Sequence, residues 1–335
     1  MVAFFKSNNP SVVIFYVFYL VLFRIFFVFG TADTNFVFEH REPLSGLFFG
    51  FFKNMHINFQ VASLVLGAIL CFIQALLING IVNENKILAK KNYLPGAMFI
   101  IFASFFKEFL LLTPASVALL FLIICTARMF ALLKKEKSYG DVFDLGFLVA
   151  VATLFYFPSV LFVLFAYIGL ATMRPFNYRE WTIVLLGFIS PVILVFTFYF
   201  WNDKADVLLA QVANAHQGNW LVGITLNMAD KILVGGITLC TIACLTLLPA
   251  SLYSSLIQVR KFATSLVVFL VLVLVAVLLE QNIRLSHLVL MALPLGIFSS
   301  MALVQIKRKW LSEVIHIILI LFVLAAQFLP LFNII

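Results

Sequence analysis

Apolar runs long enough to cross a bilayer recur along the whole chain, at 11–30, 59–82, 93–111, 114–133, 181–200, 232–257, 262–279, 286–305 and 311–332. A hydrocarbon core of roughly 30 Å takes about twenty apolar residues in a helix. The stretch 142–173 is apolar too, but Phe157-Pro158-Ser159 interrupts it. Pro158 lacks a backbone donor and disfavours a straight helix, so two short helices meeting at a tight turn are expected there. Thr113-Pro114 is expected to join 93–111 to 114–133 in the same way. The pattern predicts an all-α polytopic transmembrane bundle of about eleven spans. It forms a single transmembrane domain over 1–335, without internal repeats or a soluble domain. The run from Ser11 to Gly30 contains Arg24 and lacks a small-x-small cleavage site. It reads as a first span that stays, not as a cleaved signal.

The polar positions between the runs fall into two sets. With the N-terminus inside, the inner loops hold Lys6, Lys86, Lys90, Lys91, Lys134, Lys135, Lys137, Arg174, Arg179, Arg260, Lys261, Lys307, Arg308 and Lys309, fourteen in all. The outer loops hold six: Arg41, Lys53, Lys107, Lys204, Lys231 and Arg284. Lys and Arg concentrate on the cytoplasmic side. The expected arrangement is a cytoplasmic N-terminus and, for an odd number of spans, a C-terminus on the outer side. The net charge of 22 − 14 = +8 is then a topology signal, and no nucleic-acid partner is expected. Every inner loop is short and none carries a Gly-rich phosphate loop, which leaves no place for a nucleotide domain. The long connections, from Thr31 to Asn58 and from Trp201 to about Lys231, face outwards. Chemistry beyond the bilayer interior is expected on that side.

Composition agrees: 64% of residues are hydrophobic and mean hydropathy is +1.15, too apolar for one soluble core. Forty phenylalanines read as lipid-facing and interhelix filling. Cys71, Cys125, Cys240 and Cys244 all lie inside apolar runs and read as small buried residues.

The candidate chemistry sits at outer span ends. The first outer loop places Asp33, Glu39, His40, Arg41 and Glu42 just beyond the first span. Leu44 to Met55 follows as a short helix along the interface. A carboxylate there is suited to act as general base on a hydroxyl acceptor; the competing reading is a solvated cluster of Glu39, Arg41 and Glu42. Lys107 and Glu108 interrupt a strongly apolar run, where charges face a cavity or a partner, or else snorkel to the interface. Arg284 and His287 lie between two late spans, and an Arg there suits a phosphate oxygen; the alternative is a surface Arg paired with Glu280. Arg24 lies in the outer half of its span, within reach of the first-loop carboxylates, while Arg128 is expected to snorkel inwards. Tyr16, Tyr19 and Tyr167 read as packing aromatics. Trp201 to Trp220 reads as an interfacial helix, an anchor or a lid. No metal-ligand spacing and no cofactor motif occurs.

The order of these parts resembles the GT-C superfamily of membrane glycosyltransferases. The matching pieces are Asp33 to Glu42 with the helix from Leu44, then Lys107-Glu108 before Thr113-Pro114. The run from Asp144 to Pro158 is similar to the superfamily's fifth span, and Arg284 to Pro294 to its final outer motif. The GT-C-like core covers about 1–230, with C-terminal spans over 231–335. The opening Phe4 to Pro10 and the Phe-rich spans resemble an uncharacterised family of Bacteroidetes membrane proteins. The chain departs from the superfamily in lacking an acidic doublet in the first outer loop and a soluble C-terminal domain. The resemblance implies a donor sugar on a polyprenyl phosphate. Asp33 or Glu39 would be the base, Arg284 and Lys107 would meet the leaving phosphate, and Arg41, Glu42, Glu108 and His287 would line the substrate. Two other classes stand beside it. One is a non-catalytic membrane subunit or scaffold of a cell-envelope complex, with membrane-protein partners. The other is a transporter or polymerase of lipid-linked glycans.

Overall fold

In hydrocarbon, each backbone amide must find its partner within its own helix or a closed barrel, and the described elements of this chain are all helical. The computed structural model describes residues 2–6, 9–29, 42–54, 59–135, 138–214, 228–253, 255–279 and 285–328, and among them there is no strand. The first elements are α1 (Val2–Phe5), a 3-10 turn η1 (Pro10–Val12), α2 (Val13–Phe29), α3 (Pro43–Asn54) and α4 (Phe59–Glu84). Then come α5 (Leu94–Phe102), η2 (Lys107–Leu110), α6 (Pro114–Ala131), α7 (Tyr139–Phe155), η3 (Phe157–Leu161) and α8 (Phe162–Met173). The chain continues through α9 (Tyr178–Trp201), α10 (Ala205–Asn214), α11 (Met228–Tyr253), α12 (Ile257–Leu279), η4 (Leu285–Met291), α13 (Ala292–Gln305) and α14 (Lys309–Phe328). Among the described residues six helices are long and apolar enough to cross a membrane: Val61–Glu84, Pro114–Ala131, Tyr178–Trp201, Lys231–Pro249, Ile257–Leu278 and His287–Gln305. Their apolar make-up is that of a membrane protein.

The proline breaks fall where the sequence places them. Pro158 ends α7 and opens η3, so 142–173 is two helices joined by a turn. Pro114 opens α6, and Thr113 caps it in a reciprocal box with Ser116, which satisfies two of the orphan amides of a helix start. The segments expected along the interface form the helices α3 and α10.

The expected span over 93–111 takes a different form. Its helix, α5, has nine residues, all buried, and covers about 14 Å, half of a bilayer. The chain then turns through Ala103–Phe106 into η2. A helix that stops at half depth leaves backbone groups that only surrounding protein can shelter. α13 does so closely: a Cβ added at Gly296 would lie 3.0 Å from the Phe99 backbone.

Phenylalanines fill the bundle as expected. Phe130 meets Phe262 at 4.3 Å between centroids, and Phe269 meets Phe162 at 4.7 Å and Phe165 at 5.2 Å. Others, such as Phe198 and Phe200, are exposed. All four cysteines are free; Cys71, Cys125 and Cys244 are buried as expected, while Cys240 is only half-buried.

The connections sort into two ends. Lys134 donates to the Glu84 carbonyl, Arg174 to the Leu132 and Lys135 carbonyls, Lys6 to the Leu303 carbonyl, and the Tyr93 amide to the Phe5 carbonyl. A cavity of about 390 Å³ lies between Lys86–Ala89, Ser255–Val259 and Met301–Gln305. The basic connections therefore gather at one end of the bundle. η2, η3, η4 and the start of α3 occupy the other.

Candidate functional site

The end opposite the basic loops collects three 3-10 turns, a geometry used in short pieces where a chain reverses. η2 packs against η4 and against both α2 and α4, while η3 and η4 share a neighbour in α12. Glu108 lies in η2 and His287 in η4, so two turns that carry sequence candidates are neighbours. His287 stacks on Tyr156, the residue before η3, with centroids 5.1 Å apart and planes 21° from parallel. Tyr156 is buried, so this stack ties η4 to the break after α7.

Glu42 reaches the same region through α3. It stands at the start of that helix, where its carboxylate accepts the Ser45 hydroxyl at 2.9 Å. Tyr199 of α9 donates its hydroxyl to the Pro43 carbonyl at 3.0 Å. Phe48 of α3 meets Phe155 edge-on at 6.0 Å, and Phe155 adjoins Tyr156. A continuous path thus runs from α3 through Phe155 and Tyr156 to His287, and from η4 to the turn that carries Glu108. Lys107 also lies in η2. Asp33, Glu39, Arg41 and Arg284 lie outside the described residues. Among the described residues no group of His, Cys, Asp or Glu is placed to hold a metal ion.

Two polar assemblies were not anticipated from the sequence. Arg128 does not stand alone at a helix end: it pairs with Asp141 at 3.2 Å and with Asp144 at 3.3 Å. Asp141 also takes Lys135 at 2.6 Å and the Ser138 hydroxyl. Burial alone would push the Asp141 carboxyl up. The hydrogen bonds from Lys135 and Ser138, with the charges of Lys135 and Arg128, outweigh that and hold it below the usual carboxylate range. Next to it, Arg174 pairs with Glu180 at 2.7 Å, both nearly buried. The acidic partners on α7 and α9 follow the basic run closely, and that spacing was the available signal. The second assembly joins α1, α2 and α14. Fully buried His316 meets the Tyr19 hydroxyl at 2.9 Å, and Glu313 accepts the Val2 amide at 2.9 Å. Its signal was Glu313 and His316 three apart on one helix face.

These features define a helical membrane protein in which the turns carrying Glu108 and His287 are neighbours, opposite a basic, internally bonded end. The chain belongs to DUF6427, a family of unknown function, whose match covers residues 43–334. No curated protein and no solved structure matches it.

Proposed function

We propose that this chain is a glycosyltransferase that moves a sugar from a polyprenyl-phosphate donor to an acceptor at the outer face of the bacterial inner membrane. Its bundle would be GT-C-like, with about eleven crossings once the short helices around η2 and η3 are counted. The N-terminus would be cytoplasmic and the C-terminus periplasmic. The observation that carries this reading is the meeting of η2 and η4, with Glu108 and His287, at the end away from the basic loops. The short connections at the basic end favour a donor supplied from the lipid over one carried by a nucleotide. In the proposed step, Asp33 or Glu39 takes the acceptor hydroxyl proton as its oxygen attacks the anomeric carbon. The bond from that carbon to the phosphate oxygen breaks, and its electron pair leaves with the phosphate. Arg284 and Lys107 stabilise that developing charge, and the configuration inverts in a single displacement.

The test compares Arg284→Ala, Arg284→Lys, Asp33→Asn and Glu39→Gln at equal protein level, reading transfer from a radioactive polyprenyl-phosphate sugar. Losing the guanidinium lowers both donor binding and turnover, and Lys restores little because it cannot reproduce the planar fork. Losing the base leaves donor binding intact and slows transfer by about a hundred- to ten-thousand-fold. If every variant behaves as wild type while deletion of the chain causes an envelope defect, the enzyme reading fails and a subunit role replaces it.

A further inference from the structure

A groove of about 620 Å³ runs between α2 and α4. Val17, Val21 and Arg24 form part of one wall, and Leu64, Ala68 and Phe72 part of the other. Arg24 is the one polar residue among the described lining. Val17, Val21, Val65 and Ile69 are about half exposed, so the groove opens sideways, towards lipid. Arg24 itself is 5% exposed, and none of its three guanidinium nitrogens has a hydrogen-bond partner. Its head lies beside the Cys71 thiol, a weak acceptor at best. A buried guanidinium without an anion is among the costlier arrangements in a fold. Here it stands at the edge of a cavity whose other walls offer hydrocarbon only.

That layout fixes the chemistry of an occupant: one anionic group followed directly by an apolar chain. The α2 wall runs from Val17 to Ile25, about 12 Å along the axis. Depth selects among lipids. Pro10–Phe29 is twenty residues, about 30 Å and close to the hydrocarbon thickness. Arg24 comes five residues before Phe29, about 8 Å below that end, and helical side chains lean towards the N-terminus, which here is deeper still. A glycerophospholipid keeps its phosphate in the headgroup layer and sets a glycerol and two ester carbonyls below it. Apart from Arg24, the described lining has no polar side chain to receive those. A lipid with its phosphate esterified directly to one long chain has none to place.

We infer that the groove between α2 and α4 binds a single-chain lipid monophosphate, with the hydrocarbon along Val17 to Ile25 and the phosphate on Arg24. Naming the chain as isoprenoid rests on the transferase reading above. The position suits delivery to the candidate site. Gly67, one turn from Cys71 on α4, meets η2 so closely that a Cβ there would lie 2.9 Å from the Leu110 carbonyl oxygen. η2 also touches α2. Rotation about the single bonds of Arg24 would swing its head from Cys71 into the groove, between the two helices that both contact the turn carrying Glu108.

The test is binding of undecaprenyl phosphate to the full chain in nanodiscs, read by native mass spectrometry, with phosphatidylglycerol as competitor. Arg24→Gln should weaken binding about ten- to a hundredfold, the range of a lost charge-assisted contact. Ala68→Trp should do the same by filling the groove with Arg24 intact, which covers the case in which Arg24→Gln fails to fold. Phosphatidylglycerol should not displace the ligand. If both variants bind as wild type does, the inference is overturned while the transferase reading stands. If phosphatidylglycerol competes on equal terms, the single-chain assignment is overturned. If wild type binds no undecaprenyl phosphate, both readings fall.

Discussion

The seam between α7 and α9 makes the sharpest quantitative prediction. Gly146 and Gly187 face each other's backbones. A Cβ at Gly146 would lie 1.9 Å from the Val184 carbonyl oxygen, and one at Gly187 would lie 2.3 Å from the Phe143 carbonyl oxygen. An ordinary carbon–oxygen contact needs about 3.3 Å. Gly146→Ala therefore forces the helices apart by 3.3 − 1.9, about 1.4 Å, and Gly187→Ala by 3.3 − 2.3, about 1.0 Å. A gap of roughly 0.5–1 Å already forfeits a quarter to a half of a contact's attraction. In a membrane that attraction is a main force between helices, since lipid offers no hydrophobic contrast. α9 exposes Leu186, Leu194 and Phe200 outwards, so the seam carries much of its attachment. Overpacking costs about 1–3 kcal/mol, and the better helix propensity of Ala returns up to about 1 kcal/mol. Gly146→Ala should lose about 1–2 kcal/mol net. One separation relieves both clashes, so the double variant should cost little more than Gly146→Ala alone. Gly235→Ala, with nothing within 4 Å of the new Cβ, should instead gain up to about 1 kcal/mol. The assay is reversible unfolding in mixed micelles. A Gly146→Ala protein within about 0.5 kcal/mol of wild type, or a double variant equal to the sum of the singles, would refute the reasoning.

The basic end gives two more predictions. Arg174→Ala strands nearly buried Glu180 and removes the donor to the Leu132 and Lys135 carbonyls, so it should cost about 3–5 kcal/mol; Arg174→Ala with Glu180→Ala should cost clearly less than the two singles combined, and additive losses in that cycle would count against the pair. Asp141 has a folded pKa below its unfolded value, so its contribution is present above about pH 4 and is lost as pH falls through the folded pKa. Unfolding free energy should fall with acid in that window, and Asp141→Asn should flatten the slope; an unchanged slope in the variant would remove Asp141 as its source.

The legible parts of the fold were those that local chemistry dictates. Pro158 and Pro114 cannot continue a helix, and the breaks fall there. The stretches behind α3 and α10 alternate apolar and polar positions at helical spacing, and both form helices. The alternating charge of the loops anticipated two distinct ends. Apolar content, by contrast, cannot distinguish a span that faces lipid from a half-length helix enclosed by protein. The sequence of α5 and η2 for that reason reads as one crossing, although Lys107 and Glu108 mark where the helix has already ended. Long-range pairs were hidden for a different reason. Tyr19 and His316 are 297 residues apart, and nothing local in either helix names its partner. Of the candidate site, the neighbourhood of Glu108 and His287 was legible because both interrupt apolar runs near span ends. The stack on Tyr156 was not, because an aromatic at a helix break carries no mark of what lies above it.

The two ends use their charges differently, and this bears on where function sits. At the basic end Arg128, Lys134, Lys135 and Arg174 are each bonded to a carboxylate or to a helix-end carbonyl. A cation that closes a helix end has its donors committed, so those residues are accounted for by stability. Arg24 has no such partner and lines the groove between α2 and α4, the two helices that both contact η2. The family match sharpens the contrast. Residues 43–334 contain Lys107, Glu108, Arg284 and His287 but leave out Arg24, Asp33, Glu39, Arg41 and Glu42. Loss of transfer in Arg284→Ala would place chemistry inside the matched region, whereas loss in Glu39→Gln or of lipid binding in Arg24→Gln would place it in the stretch before that region.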